Sequence, residues 1–300
     1  MSEALDWRPG MAIEDLARRA EIIGRIRGFF DQRGFVEVQT PCLSRDVVVD
    51  RFIEPLPVPA AADQPMWLQT SPEFAMKRLL AAGARAIYQM GPVFRAGERG
   101  RSHNTEFTML EWYRAGDDYR RGMDLLEEFA GELIVDAPAI RMTYRQLFQK
   151  FAGIDPFAGV EFEDLNRLLA EQVEPALQSI PSLIVHDWPA DQAALARTRT
   201  DASGIQVAER FELYCHGTEL ANGYHELTDA EELLRRNQQV NRQRQAAGQV
   251  ALPVDSRLLQ AMQAGLPDSC GVALGVDRLV MLALNKPDID QVMPFAGDRA

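Results

Sequence analysis

Cysteine is scarce in this chain of 300 residues: Cys42, Cys215 and Cys270 are odd in number, far apart and form no C-x-x-C pair. That argues against a disulfide framework or a thiolate zinc site, and the three read as free thiols in a reducing, cytoplasmic setting. Long apolar runs are missing too. None approaches the roughly 20 residues a bilayer span needs, and the opening "MSEALDWRPG" lacks the apolar core of a secretory signal. Positive charge is in short supply, with 32 Lys plus Arg against 44 Asp plus Glu and a net charge of −12. This balance speaks against a broad basic face that could grip a long nucleic acid. Repeats and low-complexity tracts are absent, and neither a P-loop nor a G-x-G-x-x-G fingerprint occurs, so the common phosphate cradles are missing.

What is present is an ordinary globular composition, 46% hydrophobic and 25% charged, ample for a packed core. Apolar side chains at helical spacing predict a helix over 11–33, stopped at Gly34, and "FVEVQTP" alternates as a strand. "TSPEFAMKRLLAAG" predicts a helix with Ser71 as N-cap, Pro72 in the first turn, Glu73 near the positive dipole end and Gly83 at the exit. "AIYQMGPVF" and "TEFTMLEWY" read as strands joined by the polar loop 95–104. Helices are expected over 117–135, 143–152, 161–171, 229–247 and 255–264, while most of 155–205 gives no clear signal. "VAERFELYCHGTELANGYHEL" reads as a hairpin turning at His216-Gly217. "GVALGV" reads as a strand entering a helix that Asp277 caps. Hairpins without regular helical crossovers indicate an α+β fold, an antiparallel sheet flanked by helices, in one domain over 1–300.

Three constellations carry chemistry. Period two places Phe107, Met109, Glu111 and Tyr113 on one face of a strand that is apolar on both faces, so Glu111 is a carboxylate in a costly setting. An internal ion pair with an arginine or a pocket awaiting a cation would each satisfy it. The neighbouring loop gathers Arg95, Arg99, Arg101, Arg114 and His103, and arginine forks suit phosphate oxygens. In the 216–217 hairpin, strict alternation sets Tyr214 opposite Glu219 and Glu212 opposite Ala221, making Glu212 and Glu219 diagonal neighbours able to share a divalent ion. Asn222, Tyr224 and Glu226 then fall on the other face, unless the strand bulges near Ala221–Gly223. In "GVALGVDRLVML", Gly271 and Gly275 let something lie against the backbone, and Arg278 projects from a helix start. Arg95, Arg278 and the acid pair suit a nucleoside triphosphate with Mg²⁺. Glu73, Glu111 and Glu226 are left over, without an evident cation, for a cationic substrate.

In this order the segments resemble the catalytic core of class II aminoacyl-tRNA synthetases. "RGFVEVQTP" looks like motif 1, "FRAGERGRSHNTEFTMLEWY" like motif 2 and "GVALGVDRLVML" like motif 3, spread over some 250 residues. "TSPE", "HNTEFTMLEWY" and "ERFELYCHGTELANGYHEL" are similar to the lysyl branch. The chain starts only about 30 residues before motif 1, which leaves no room for an anticodon-binding domain. A stand-alone lysyl core of this kind is similar to the ligases that attach lysine or (R)-β-lysine to a lysine side chain of elongation factor P. The resemblance implies ATP as co-substrate, Mg²⁺, an aminoacyl-adenylate, elongation factor P as acceptor, and a homodimer through motif 1, with tRNA an unlikely partner.

The same resemblance assigns Arg95 to the α-phosphate and Phe107 to adenine stacking, with His103 and Asn104 beside the nucleotide. Glu219 and Leu220 would touch ATP, Glu212 and Glu219 the metal, and Gly275 and Arg278 would frame the triphosphate. Arg95, Glu219 and Arg278 would be the catalytic set. Ser71, Pro72, Glu73, Glu111, Tyr113, Asn222, Tyr224 and Glu226 would line the amino-acid pocket. Where the family commonly carries "FRNE", this chain has "FRAG", so ATP contacts at Ala96 and Gly97 are altered and the acid moves to Glu98. Ala273, where lysyl-tRNA synthetases tend to have glycine, points to a changed pocket floor. The alternatives are a truncated lysyl-tRNA synthetase-like enzyme that acylates tRNA, and a non-catalytic amino-acid sensor.

Overall fold

The computed structural model describes residues 7–59 and 65–300. In chain order the elements are α1 (Ile13–Gln32), β1 (Val36–Glu37), β2 (Leu43–Ser44), β3 (Pro57–Val58), β4 (Met66–Leu68), α2 (Glu73–Ala81), β5 (Ala86–Phe94), β6 (Glu106–Ala115) and α3 (Tyr119–Leu133). There follow β7 (Ile140–Thr143), α4 (Tyr144–Phe151), α5 (Phe162–Leu168), α6 (Glu174–Ala176), β8 (Leu183–Pro189), β9 (Thr198–Thr200), β10 (Gln206–Cys215) and β11 (Thr218–His225). The last are α7 (Ala230–Ala246), α8 (Arg257–Gly265), β12 (Ser269–Gly275) and α9 (Val276–Ala283). Among the described residues no helix is long and apolar enough to cross a membrane.

The main sheet runs β1-β5-β6-β12-β11-β10-β8-β7, with β9 pairing β10, and β2-β4-β3 form a small separate sheet. The fold is α+β, as the hairpins suggest. All pairs in the main sheet are antiparallel except its two edges, where β1 lies parallel to β5 and β7 parallel to β8. β1 falls within the expected strand "FVEVQTP", but the parallel pairing at both edges, and β7 and β8 themselves, were not legible in the sequence. β1 is only two residues long, and β7 and β8 lie in or beside a stretch whose Pro, Asp and Ala residues mask the pattern. β8 is nonetheless buried along most of its length and pairs directly with β10.

Alternation along β6 sorts the core into layers. Leu110 and Trp112 face α1 and α3, where Phe30 stacks on Tyr88 with centroids 4.6 Å apart and Trp112 stacks on Phe129 at 5.4 Å. Tyr113 faces the other way, together with Ile87, into the layer made by α2 and α8. The helices carry local caps. The Asp118 side chain accepts from the Arg120 and Arg121 amides, and Thr143 and Gln146 form a capping box. Two expected caps differ. The Ser71 hydroxyl accepts from the Glu73 amide at 3.0 Å, but the helix starts at Glu73, so Pro72 sits just before it. Asp277 does not cap α9. Its buried carboxylate accepts from the Thr108 amide at 2.6 Å and pairs with Arg19 at 2.7 Å, fastening α9 to β6 and α1.

At Gly122 α3 crosses the sheet with no space to spare. A Cβ there would lie 2.0 Å from Cys270 Sγ and 3.2 Å from the Phe211 ring. Overpacking of this kind costs about 1–3 kcal/mol. Gly122→Ala is therefore expected to lower the unfolding free energy measured by urea titration by about that amount, and adding Cys270→Ala should recover a substantial part. Strict additivity of the two substitutions would show that the contact is not the cause.

Candidate active site

The hairpin β10–β11 turns at His216 and Gly217, whose φ angles are +48° and +76°, as a primed two-residue turn requires. Cys215 faces Thr218 and Tyr214 faces Glu219, as the spacing predicts. The register then shifts: Leu213 faces Ala221 and Glu212 faces Asn222, leaving Leu220 as the extra residue. The bulge is thus one residue earlier than the small residues suggested. It brings Glu219 onto the same face as Asn222, Tyr224 and Glu226.

Two rows of side chains cross the sheet as a result. Glu111 on β6, Ala273 on β12, Asn222 on β11 and Glu212 on β10 form one row. Tyr113, Gly271, Tyr224 and Arg210 form the next. Gly271 has to be glycine, because a Cβ would meet the Tyr113 ring at 2.2 Å and Glu226 Oε1 at 2.4 Å. What lies against that backbone is the pocket's own wall. Above the rows opens a cleft of about 360 Å³.

One end of the cleft is acidic. Glu73, Glu111 and Glu226 all line it, each over nine-tenths buried. Ser71 Oγ donates to Glu111 Oε1 at 2.5 Å, and the Tyr113 hydroxyl donates to Oε2 at 2.9 Å. The expectation that all three acids lack a protein cation is corrected here. Lys77, 2% exposed on α2, donates to Glu73 at 2.5 Å and pairs with Glu226. Burial alone would depress its ammonium, but the Glu226 and Glu73 carboxylates outweigh burial and hold its pKa above the usual range. Burial, reinforced by the charge of Glu73, pushes Glu111 up to about 8 against the bonds from Ser71 and Tyr113. Burial likewise raises Glu226 despite Lys77. Three acids against one base leave two negative charges when all are ionised. Asn222 Oδ1 and Asn237 Nδ2, both lining or facing the cleft, are buried without a hydrogen-bond partner.

The other end is basic. Arg278 reaches from α9 and donates to the Ser102 carbonyl (3.2 Å), the Glu219 carbonyl (2.9 Å) and His103 Nε2 (2.6 Å). Burial and the Arg278 charge hold the His103 pKa below the usual imidazole range, consistent with its accepting that bond. Arg95 donates from Nε to the Thr70 carbonyl at 3.4 Å, and its guanidinium lies 5.2 Å from the centre of the Phe107 ring. Asn104 fixes the loop base, its side chain donating to the Glu106 carbonyl and accepting from the Gly297 amide.

Most of the expected residues share this one cleft. Ser71, Glu73, Glu111, Tyr113, Asn222, Tyr224 and Glu226 line its acidic part, and Arg95, His103, Asn104, Phe107, Glu219, Leu220, Gly275 and Arg278 its other part. Four do not line it. Pro72 is buried ahead of α2, the Ala96 amide is bound to the Glu54 carbonyl at 2.8 Å, and Gly97 turns the chain at φ +75°. Glu98 lines the cleft instead, 3.7 Å from Arg95, so the acid displaced along the loop still reaches the site. Glu212 is the fourth. Arg210 at 2.5 Å and the Tyr214 hydroxyl at 2.7 Å already occupy its carboxylate, so Glu212 and Glu219 do not stand as two open carboxylates sharing a face of the cleft. Among the described residues no group of three or more His, Cys, Asp or Glu could hold a metal ion unaided.

Lys77, Arg210, Arg236 and Asn237 escaped the sequence reading. Lys77 had a usable signal, its i,i+4 spacing from Glu73 on a helix otherwise buried by Phe74, Met76 and Leu80. Arg236 and Asn237 lie on the strongly polar α7, where nothing sets them apart.

Comparison with known proteins accords with this geometry. The family model described as tRNA synthetases class II (D, K and N) matches residues 2–299. Proteins named elongation factor P–(R)-β-lysine ligase are similar over the full length of both chains: 44% identical in Enterobacter sp. (strain 638), 42% in Salmonella paratyphi B and 41% in Hamiltonella defensa. The chain belongs to the class II tRNA synthetase family of the D, K and N type.

Proposed function

We propose that this protein is an ATP-dependent ligase that activates lysine or (R)-β-lysine as an aminoacyl-adenylate and transfers it to a lysine side chain of elongation factor P. The observation that carries the reading is the cleft's polarity: three buried acids against a single buried lysine at one end, arginines at the other. A diamino acid matches both, its ammonium groups at Glu73, Glu111 and Glu226 and its carboxylate toward Arg95. The names of the full-length relatives support the substrate and the acceptor.

The residues then act mainly by positioning and charge neutralisation. The amino-acid carboxylate attacks the α-phosphate of ATP, one P–O bond forms and the bond to pyrophosphate breaks. Arg95 is placed to stabilise the charge that builds on the α-phosphate, Phe107 to stack on the base, and Arg278, which keeps N–H groups beyond its three protein bonds, to hold the outer phosphates. The acceptor lysine amine then attacks the mixed anhydride, AMP leaves, and a proton is released. No protein nucleophile is needed. Mg²⁺ fits at the Glu219 side of the cleft, where that carboxylate is partly exposed and nucleotide oxygens would complete the ligand set. It would supply charge neutralisation on the leaving pyrophosphate. A homodimer through motif 1 is supported by the exposure of Val36 on β1, with Ile13 and Leu16 exposed on the helix that precedes it.

The decisive experiment supplies ATP, radiolabelled lysine or β-lysine, bulk tRNA and purified elongation factor P together. Label is expected as a base-stable amide on the protein. Accumulation as a base-labile ester on tRNA at comparable rates would replace this reading with that of a tRNA-charging enzyme, and no pyrophosphate exchange with either amino acid would favour a sensor.

A pH dependence follows from Glu111. Its raised pKa keeps the carboxyl protonated in the empty pocket at neutral pH, whereas an ammonium ligand needs the ionised form. Affinity for the amino acid should therefore rise with pH through about 8, falling roughly fifty-fold from pH 8 to pH 6 for one such proton. Calorimetry in buffers of different ionisation enthalpy should show proton release on binding at pH 7, and a flat pH profile would remove the ammonium from Glu111.

A further inference from the structure

Lys77 is one of only three lysines in the chain, with Lys150 and Lys286, among 32 basic residues. The chain uses arginine almost everywhere else, so a compact ammonium at this buried place calls for a reason. Stability does not supply one. The other buried side chains of the helix around it, Phe74, Met76 and Leu80, are apolar, and a buried ion pair is on average no more stabilising than apolar residues of similar size. A planar guanidinium would also need a wider space than a point ammonium.

We propose that Lys77 is a positioning residue that sets the charge of the amino-acid pocket, gathering the Glu73 and Glu226 carboxylates about one ammonium so that the pocket is matched to two ammonium groups. This rests on the function proposed above and names the device behind its substrate class. Every charged or titratable group that faces the ammonium bears on it. Glu73 comes from its own helix and Glu226 from the end of β11, and Glu111 and Tyr113 come from β6, the Tyr113 ring centre lying 6.0 Å from Nζ. His225 adjoins Glu226 and is itself held by Glu209 and Asp268, while Arg197 donates to the Glu226 carbonyl at 2.8 Å. Among these Lys77 alone is a cation in direct contact with pocket carboxylates. With it, three acids would leave two negative charges once a bound ammonium draws the proton off Glu111. Without it, mutual repulsion and burial would keep at least one further carboxyl protonated at neutral pH.

The test is direct binding of lysine and of β-lysine by calorimetry from pH 6 to 9, with the KM for ATP measured alongside, for the intact protein and for Lys77→Met. Affinity of the variant at pH 7 should fall at least about tenfold, and the pH of half-maximal affinity should move up by about one unit, while the KM for ATP stays within about twofold. Lys77→Met/Glu73→Gln, which removes one charge of each sign, should return the pH midpoint toward that of the unmodified protein, and it answers the question if the single variant fails to fold. An unmoved midpoint in either variant, or a parallel loss of amino acid and ATP, would reduce Lys77 to a packing role and overturn the proposal. If the unmodified protein binds neither amino acid, the proposed function itself falls, independently of Lys77.

Discussion

Glu73 and Glu226 reach the pocket on different elements, one from the first turn of α2 and the other from the end of β11, and the ammonium of Lys77 lies between them. Three carboxylates withdrawn from water at this spacing repel one another and each loses hydration, a cost of several kcal/mol per group if unrelieved. Lys77 relieves part of it, and the Ser71 and Tyr113 hydroxyls on Glu111 relieve more. The same bonds tie α2 and the turn ahead of it to β6 and to the end of β11. Ser71 shows how closely fold and site are joined: its single hydroxyl accepts from the Glu73 amide at the helix start and donates to the central carboxylate. The placement of α2 and the charge state of the pocket are one problem with one solution.

The second constraint is geometric. An antiparallel strand shows alternate residues to one face, so Glu219 could not share a face with Asn222, Tyr224 and Glu226 without an interruption. The bulge at Leu220 provides it. Upstream of it Glu219 stands near the loop and Arg278; downstream lie the groups of the acidic pocket. One inserted residue therefore lets a single strand serve both ends of the cleft. Gly271 complements this on the neighbouring strand, where the lack of a side chain makes room for Tyr113 and Glu226.

Much of this arrangement was legible because local signals and tertiary outcome agree. The hairpin turn, the β6 alternation that isolates Glu111, and the helix stops at Gly34 and Gly83 are all short-range effects, and each glycine there has positive φ. Recognition of three ordered motifs supplied what alternation alone could not, the grouping of distant residues into one cleft. What stayed hidden is tertiary. β8 is defined by pairing with β10 rather than by its own pattern, and Asp277 was read as a cap because its partners Arg19 and Thr108 are far away in sequence. Glu212 was read as a metal ligand for the same reason, since nothing in "AERFELY" reveals that Arg210 folds back onto it two residues away on the same face.

Arg278 fastens the basic loop to β11. It holds the Ser102 carbonyl and His103 of the basic loop and, with the same guanidinium, the Glu219 carbonyl beside the bulge. The loop is fastened from behind as well, through the Ile289 amide to the Arg101 carbonyl at 2.8 Å and the Gly297 amide to Asn104. A loop with glycine at 97 and 100 would by itself sample many conformations at an entropic cost to any ligand that ordered it. Tied at these points, the loop already holds Arg95 beside Phe107 at the end of the cleft away from Glu73, Glu111 and Glu226. The pre-set opposition of charge, with carboxylates fixed by Lys77 and cations fixed by backbone carbonyls, would orient the zwitterionic ligand of the proposed reaction before any chemistry begins. It does so with groups whose own hydrogen bonds are largely satisfied in the folded chain, so little rearrangement is required when charge develops.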